Sequence, residues 1–181
     1  TSHQTWLQAF DHRRSVLSFI VQLYPKIRHS ESRSKAMPSV SLRLLIPSDI
    51  HDDVAAAESL AEALAEEQID VILFPGDFTS MPNPVPEEHT SWAPPSAAET
   101  QEFLGRSDAV LAALKRINSS APVFFVPGNH DPPSMFSNST PANLHGRIAQ
   151  LAPDLYVLGW GGCVEAFENG KEVWGAFPHR E

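Results

Sequence analysis

The chain has 181 residues, is 42% hydrophobic and carries a formal net charge of -9, so it can bury a real core as one domain with an appendage. Its acidic balance does not invite nonspecific nucleic-acid binding. The longest apolar stretch, "SVLSFIVQLY" at 15–24, falls short of the roughly 18 residues a membrane span needs.

The charge is unevenly spread. Residues 1–42 hold six Lys or Arg against two Asp or Glu, and the other 139 hold seven against twenty. Residues 1–39 are therefore set apart as a basic extension, and residues 40–181 as the folded unit. The extension reads in two ways. It resembles an Arg- and Ser-rich organellar presequence, or it is a flanking helix over 4–23, stopped by Pro25 and followed by a polar linker. The single cysteine, Cys163, cannot form an internal disulfide and fits a reducing compartment. The cytoplasm is the expected location, with an organelle the alternative if residues 1–39 are a presequence. As a side chain, Cys163 is expected to be a small buried thiol.

From Val40 a regular rhythm begins. "VSLRLLI" (40–46) predicts a strand and 52–68 a helix capped by Asp52 or Asp53, with Val54, Ala57, Leu60, Ala61 and Leu64 at helical spacing. "IDVILFP" (69–75) is a continuous apolar run, as in a strand covered on both faces. A long loop with five prolines over 79–97 carries His89 and Trp92 and precedes a helix over 98–117. "APVFFVP" (121–127) predicts a third buried strand, 143–151 a short helix and "LYVLGW" (155–160) a fourth strand. Residues 163–177 predict a β-hairpin turning at Asn169-Gly170. Trp160 and Trp174 fall in strand patterns and are expected in the core, and "WGG" (160–162) marks a tight turn or bulge. Glu62, Glu66 and Glu67 read as a solvated helix face. Strand-helix alternation followed by a hairpin gives an α/β fold with a mixed sheet.

The polar residues gather at strand ends. Asp49 and His51 follow the first strand, Gly76 and Asp77 the second, and Asn129, His130 and Asp131 the third, in "FFVPGNHDPP". Ligands of open α/β sheets bind at that edge, and acidic clefts that handle anions recruit cations. Carboxylate, imidazole and amide donors suit Mn, Fe, Zn or Mg. D-x-H and G-D are common by chance, whereas "GNHD" is expected on the order of once in a thousand chains of this length.

"DIH", "GD" and "GNHD", each after a hydrophobic strand, resemble the calcineurin-like metallophosphoesterase superfamily, over roughly 40–177. The resemblance implies a four-layer α/β/β/α sandwich and two divalent or trivalent ions at the sheet edge. It implies that Asp49 and His51 bind the first ion, that Asp77 bridges both, and that Asn129 binds the second. His130 would serve as general acid or charge stabiliser, oriented by Asp131. The implied reaction is hydrolysis of a phosphate mono- or diester by a bridging, metal-activated water, on a phosphorylated small molecule, a nucleotide or a protein.

The family pattern continues with a further strand-end His and a Gly-His-x-His segment, and neither is present. Only His145 and His179 follow Asp131. The expectation is therefore of the N-terminal half of a longer hydrolase. On these residues the first ion has three protein ligands and the second two. The alternative is a noncatalytic scaffold or binding protein of the same fold.

Overall fold

Every residue of β2 (Val71–Phe74) is buried, as a strand covered on both faces must be. It lies between β1 (Leu44–Leu45) and β3 (Val123–Phe125), parallel to both. Parallel neighbours need a crossover, here α1 (Val54–Ala63) and α2 (Ala97–Lys115). The computed structural model describes residues 42–80, 95–137 and 139–164, with the backbone of three further short strands between 167 and 177. The N-terminal extension, His89, Trp92, Asn169-Gly170, Trp174 and His179 lie outside the described residues.

Local signals fix the helix starts. Asp53 caps α1 by accepting a hydrogen bond from the Ala56 N–H at 2.9 Å. Ser96 and Glu99 form a reciprocal capping box at the start of α2, which satisfies two otherwise orphaned donors. The helices cover one face of the sheet, where Ile72 and Phe74 pack with Phe78, Val110, Leu114 and Phe125. Alternation turns Val71 and Leu73 to the other face, against Val126, Leu144 and Val157. Glu62, Glu66 and Glu67 are exposed, as expected.

The sheet grows beyond β3 through single bridges. Phe125 pairs in parallel with Asn143, and His145 in parallel with Gly159. Gly159 ends β5 (Leu155–Gly159), which pairs antiparallel with β4 (Arg147–Ala152). It follows that β5 runs in the same direction as β3 and ends at the same edge.

Two expectations are corrected here, and a third in its outer part only. The helix expected over 143–151 is absent: Gly146 sits at φ +66°, and beyond it Ala149 and Leu151 pack inward while Ile148 and Gln150 are exposed, a period of two. A helical turn forms earlier instead, α3 (Pro133–Phe136), started by consecutive prolines. Trp160, expected in the core, is 65% exposed. Val157 and Gly159 face inward on β5, so Tyr156, Leu158 and Trp160 face out. The hairpin expected over 163–177 is antiparallel only at its centre, where β7 (Phe167–Glu168) meets β8 (Lys171–Glu172) with Glu168 opposite Lys171. Its outer strands, β6 (Cys163–Val164) and β9 (Ala176–Phe177), pair in parallel. Cys163 is half-buried and unbridged. Among the described residues, no helix is long and apolar enough to cross a membrane.

Candidate metal centre

The loops after β1 and β2 are stitched together by backbone. Asp49 N–H donates to Gly76 O at 3.2 Å, His51 N–H to Asp77 O at 3.0 Å, and Asp52 N–H to Phe78 O at 2.9 Å. Four residues of these loops have left-handed backbone: Asp49 at φ 58°, His51 at 49°, Asp52 at 66° and Asp77 at 57°. Asp and His tolerate this region better than most residues, yet each such placement still costs on the order of 1 kcal/mol. Strain of this kind persists only where surrounding bonds over-determine it, as these do.

The strained backbone brings donor atoms together. His51 Nε2 lies 3.9 Å from Asp49 Oδ1 and 3.9 Å from Asp77 Oδ2, and one ligand atom from each of the three falls within 4.8 Å of the others. A first-row ion with bonds of about 2.0–2.2 Å holds neighbouring ligand atoms about 3.0–3.5 Å apart, so these side chains would close by about 1 Å around one. Two carboxylates and an imidazole suit a borderline or hard cation, so the donor set fits one.

Asp77 is 3% exposed. Burial pushes its carboxyl up to about 6, with Asp49 adding to the rise, against the pull of the His130 N–H, the His51 ring and the Asn129 N–H.

The loop after β3 completes the cleft. His130 N–H donates to Asp77 Oδ1 at 2.9 Å, leaving Oδ2 turned to His51. The His130 ring stands edge-on to the His51 ring, centroids 4.9 Å apart. Asn129 is buried beside it. Gly76 and Gly128 make this approach feasible, since a Cβ on Gly128 would run into the Asp77 carboxylate and backbone nitrogen, and one on Gly76 into the Gly128 backbone.

Asp131 lies beneath, fully buried. Its oxygens accept from Gly128 N–H at 2.7 Å, Asp77 N–H at 3.0 Å, Thr79 N–H at 3.1 Å and the Thr79 hydroxyl at 3.2 Å. Burial still pushes this carboxyl up to about 7. These bonds tie the β3 loop to the β2 loop rather than reaching toward a substrate.

The structure thus gathers Asp49, His51 and Asp77 as one donor set, with His130 and Asn129 alongside and Asp131 as the tie below. His145 is engaged elsewhere: its Nδ1 accepts the Gly161 N–H at 3.0 Å and burial lowers its pKa. In the neutral ring this leaves the proton on Nε2, which is then no metal donor. Thr79, Ser80 and Arg106 were not singled out by the sequence, and Asp52 only as a candidate helix cap, a place that Asp53 takes. Asp52 Oδ2 accepts the Ser80 N–H at 2.8 Å and faces Arg106 of α2 at 3.5 Å, bracing the β1 loop from behind. "GDFTS" offers only a turn signal for such contacts, because their partners lie 28 and 54 residues away.

A model of the calcineurin-like phosphoesterase family matches residues 42–175. Among solved structures, the crystal structure of TT1561 of Thermus thermophilus is similar at 19% identity and a TM-score of 0.47, over 76% of this chain and 57% of that chain. The chain therefore spans little more than half the length of that protein. No curated protein matches it.

Proposed function

The chain belongs to the calcineurin-like phosphoesterase family, and from that premise we propose that it is a metal-dependent phosphoester hydrolase built around Asp49, His51 and Asp77. The observation that carries this reading is the convergence of their ligand atoms within 4.8 Å on strained, cross-stitched loops.

In this reading Asp49, His51 and Asp77 would hold one ion, and Asp77 with Asn129 would hold a second more weakly, with fewer ligands. Bound ions supply Lewis-acid polarisation of the phosphoryl group and acidify water. His130, carried beside Asp77 on its own N–H bond, gives a proton to the leaving oxygen of a phosphate mono- or diester. Asp131 acts as a positioning residue, holding the Asp77 and His130 loops in register.

The test measures metal uptake and p-nitrophenyl phosphate hydrolysis by the longest native form. Metal-dependent turnover, reduced at least about a hundredfold by Asp77→Asn, is expected. A native form that takes up no transition metal would sink the reading.

A further inference from the structure

His51 is carried on backbone that would relax if it were released. Its φ is 49° and that of Asp52 is 66°, and residues other than glycine hold such values only where bonds on several sides over-determine them. The His51 N–H donates to Asp77 O at 3.0 Å, which ties one side of the residue to the loop after β2. Ser80 holds the other side.

Ser80 grips the peptide group between His51 and Asp52 from both ends. Its hydroxyl donates to His51 O at 3.3 Å, and its N–H donates to Asp52 Oδ2 at 2.8 Å. The Asp52 N–H donates in turn to Phe78 O at 2.9 Å, and the Asp52 carbonyl accepts the Val54 N–H at 2.9 Å where α1 begins. Arg106 also faces Asp52 Oδ2, at 3.5 Å, but its side chain is 40% exposed, and ion pairs of that kind contribute little. The second oxygen, Oδ1, is buried with no hydrogen bond among the described residues. Asp52 therefore supplies an acceptor for Ser80 more than a charge.

We propose that Asp52 is a positioning residue for the metal centre, an inference that rests on the phosphoesterase reading above. By holding Ser80 across the His51 peptide, it keeps His51 Nε2 within 3.9 Å of the Asp49 and Asp77 carboxylates. It thereby sets the affinity for the ion those three residues would hold. Aspartate and asparagine both offer Ser80 an acceptor and both tolerate left-handed backbone. Alanine does neither.

The experiment titrates Co²⁺ into the longest native form, with affinity read by calorimetry and coordination by the visible absorption of the bound cobalt. Asp52→Ala should weaken the tighter site roughly 10- to 100-fold, the range for loss of an outer partner of a metal ligand, and Asp52→Asn should restore most of it. Ser80→Ala, which gives up only the hydroxyl bond, should weaken that site roughly 2- to 10-fold. Asp53→Ala removes the cap of α1 one residue away, so it should lower the denaturant midpoint and leave Co²⁺ affinity unchanged. Unchanged affinity in Asp52→Ala, an equal loss in Asp53→Ala, or a loss in Asp52→Asn as large as in Asp52→Ala overturns the role of Asp52. If Asp52→Ala fails to fold, unchanged affinity in Ser80→Ala overturns it instead. An unaltered protein that takes up no Co²⁺ overturns the phosphoesterase reading and this role together. Asp52-dependent Co²⁺ binding without turnover counts against the hydrolase reading alone.

Discussion

The loop edge of the β1–β3 sheet and the β4–β5 hairpin depart from the usual sorting of side chains in opposite senses. At the edge the buried residues are polar: Asp77, Thr79, Asn129 and Asp131. On the hairpin the exposed residues are apolar: Ile148, Tyr156, Leu158 and Trp160. Buried polar groups persist only when they are bonded, and at the edge the bonds are many and long-range in sequence. Exposed apolar groups need no partner to persist, and they cost little until something binds them. The edge is therefore over-determined and intolerant of change, whereas exposed positions of the hairpin such as Leu158 tolerate substitution.

The largest effect should come from breaking the tie beneath the edge. Asp131→Ala removes the acceptor for the backbone N–H groups of Asp77, Thr79 and Gly128. Each buried donor left unpaired costs about 1–3 kcal/mol, so a loss of roughly 3 kcal/mol or more is expected in denaturant unfolding. A loss below about 1 kcal/mol would mean that water replaces the carboxylate and that the edge is less rigid than its bonds imply.

Asp77→Asn should act in the opposite direction on the same edge. An amide oxygen can keep the bond from His130 N–H while removing a charge that burial disfavours. With the carboxyl raised from 3.8 to about 6 and one pKa unit worth about 1.4 kcal/mol, the metal-free variant gains up to about 3 kcal/mol at neutral pH, while metal uptake is lost. The pH dependence has a matching sign. Asp77 and Asp131 are both raised by burial, to about 6 and about 7, so the fold retains protons that the unfolded chain has released. Metal-free stability should then fall as pH rises from about 4 to about 7 and return on acidification. Asp77→Asn should make that slope shallower, and a steeper slope would place the charge elsewhere.

The edge was more legible in the sequence than the hairpin. Asp49, His51 and Asp77 could be placed because apolar runs are unambiguous strands and each polar cluster follows one directly. Asp53 and its helix were likewise visible, since a cap and its recipient lie three residues apart. Asp131 was found, but its partners Asp77 and Thr79 lie 54 and 52 residues away, and spacing does not encode such pairings. "GRIAQLA" fits either period over so short a run, and the left-handed turn at Gly146 decided for β. Trp160 failed because hydrophobicity reports what a residue could bury and not which face of its strand is covered.

The smallest effects test that last point on adjacent residues of β5. Val157 is 5% exposed and packs with Leu73, Val126 and Leu144, whereas Leu158 is 51% exposed. Truncating a buried branched side chain loses its transfer energy and leaves a cavity, so Val157→Ala should cost about 1–3 kcal/mol. Leu158→Ala removes a larger group but uncovers nothing, and substitutions of that kind stay within about 0.5 kcal/mol. Both are read from denaturant midpoints at unchanged slope. If Leu158→Ala instead costs as much as Val157→Ala, the outer face of the hairpin is covered in solution.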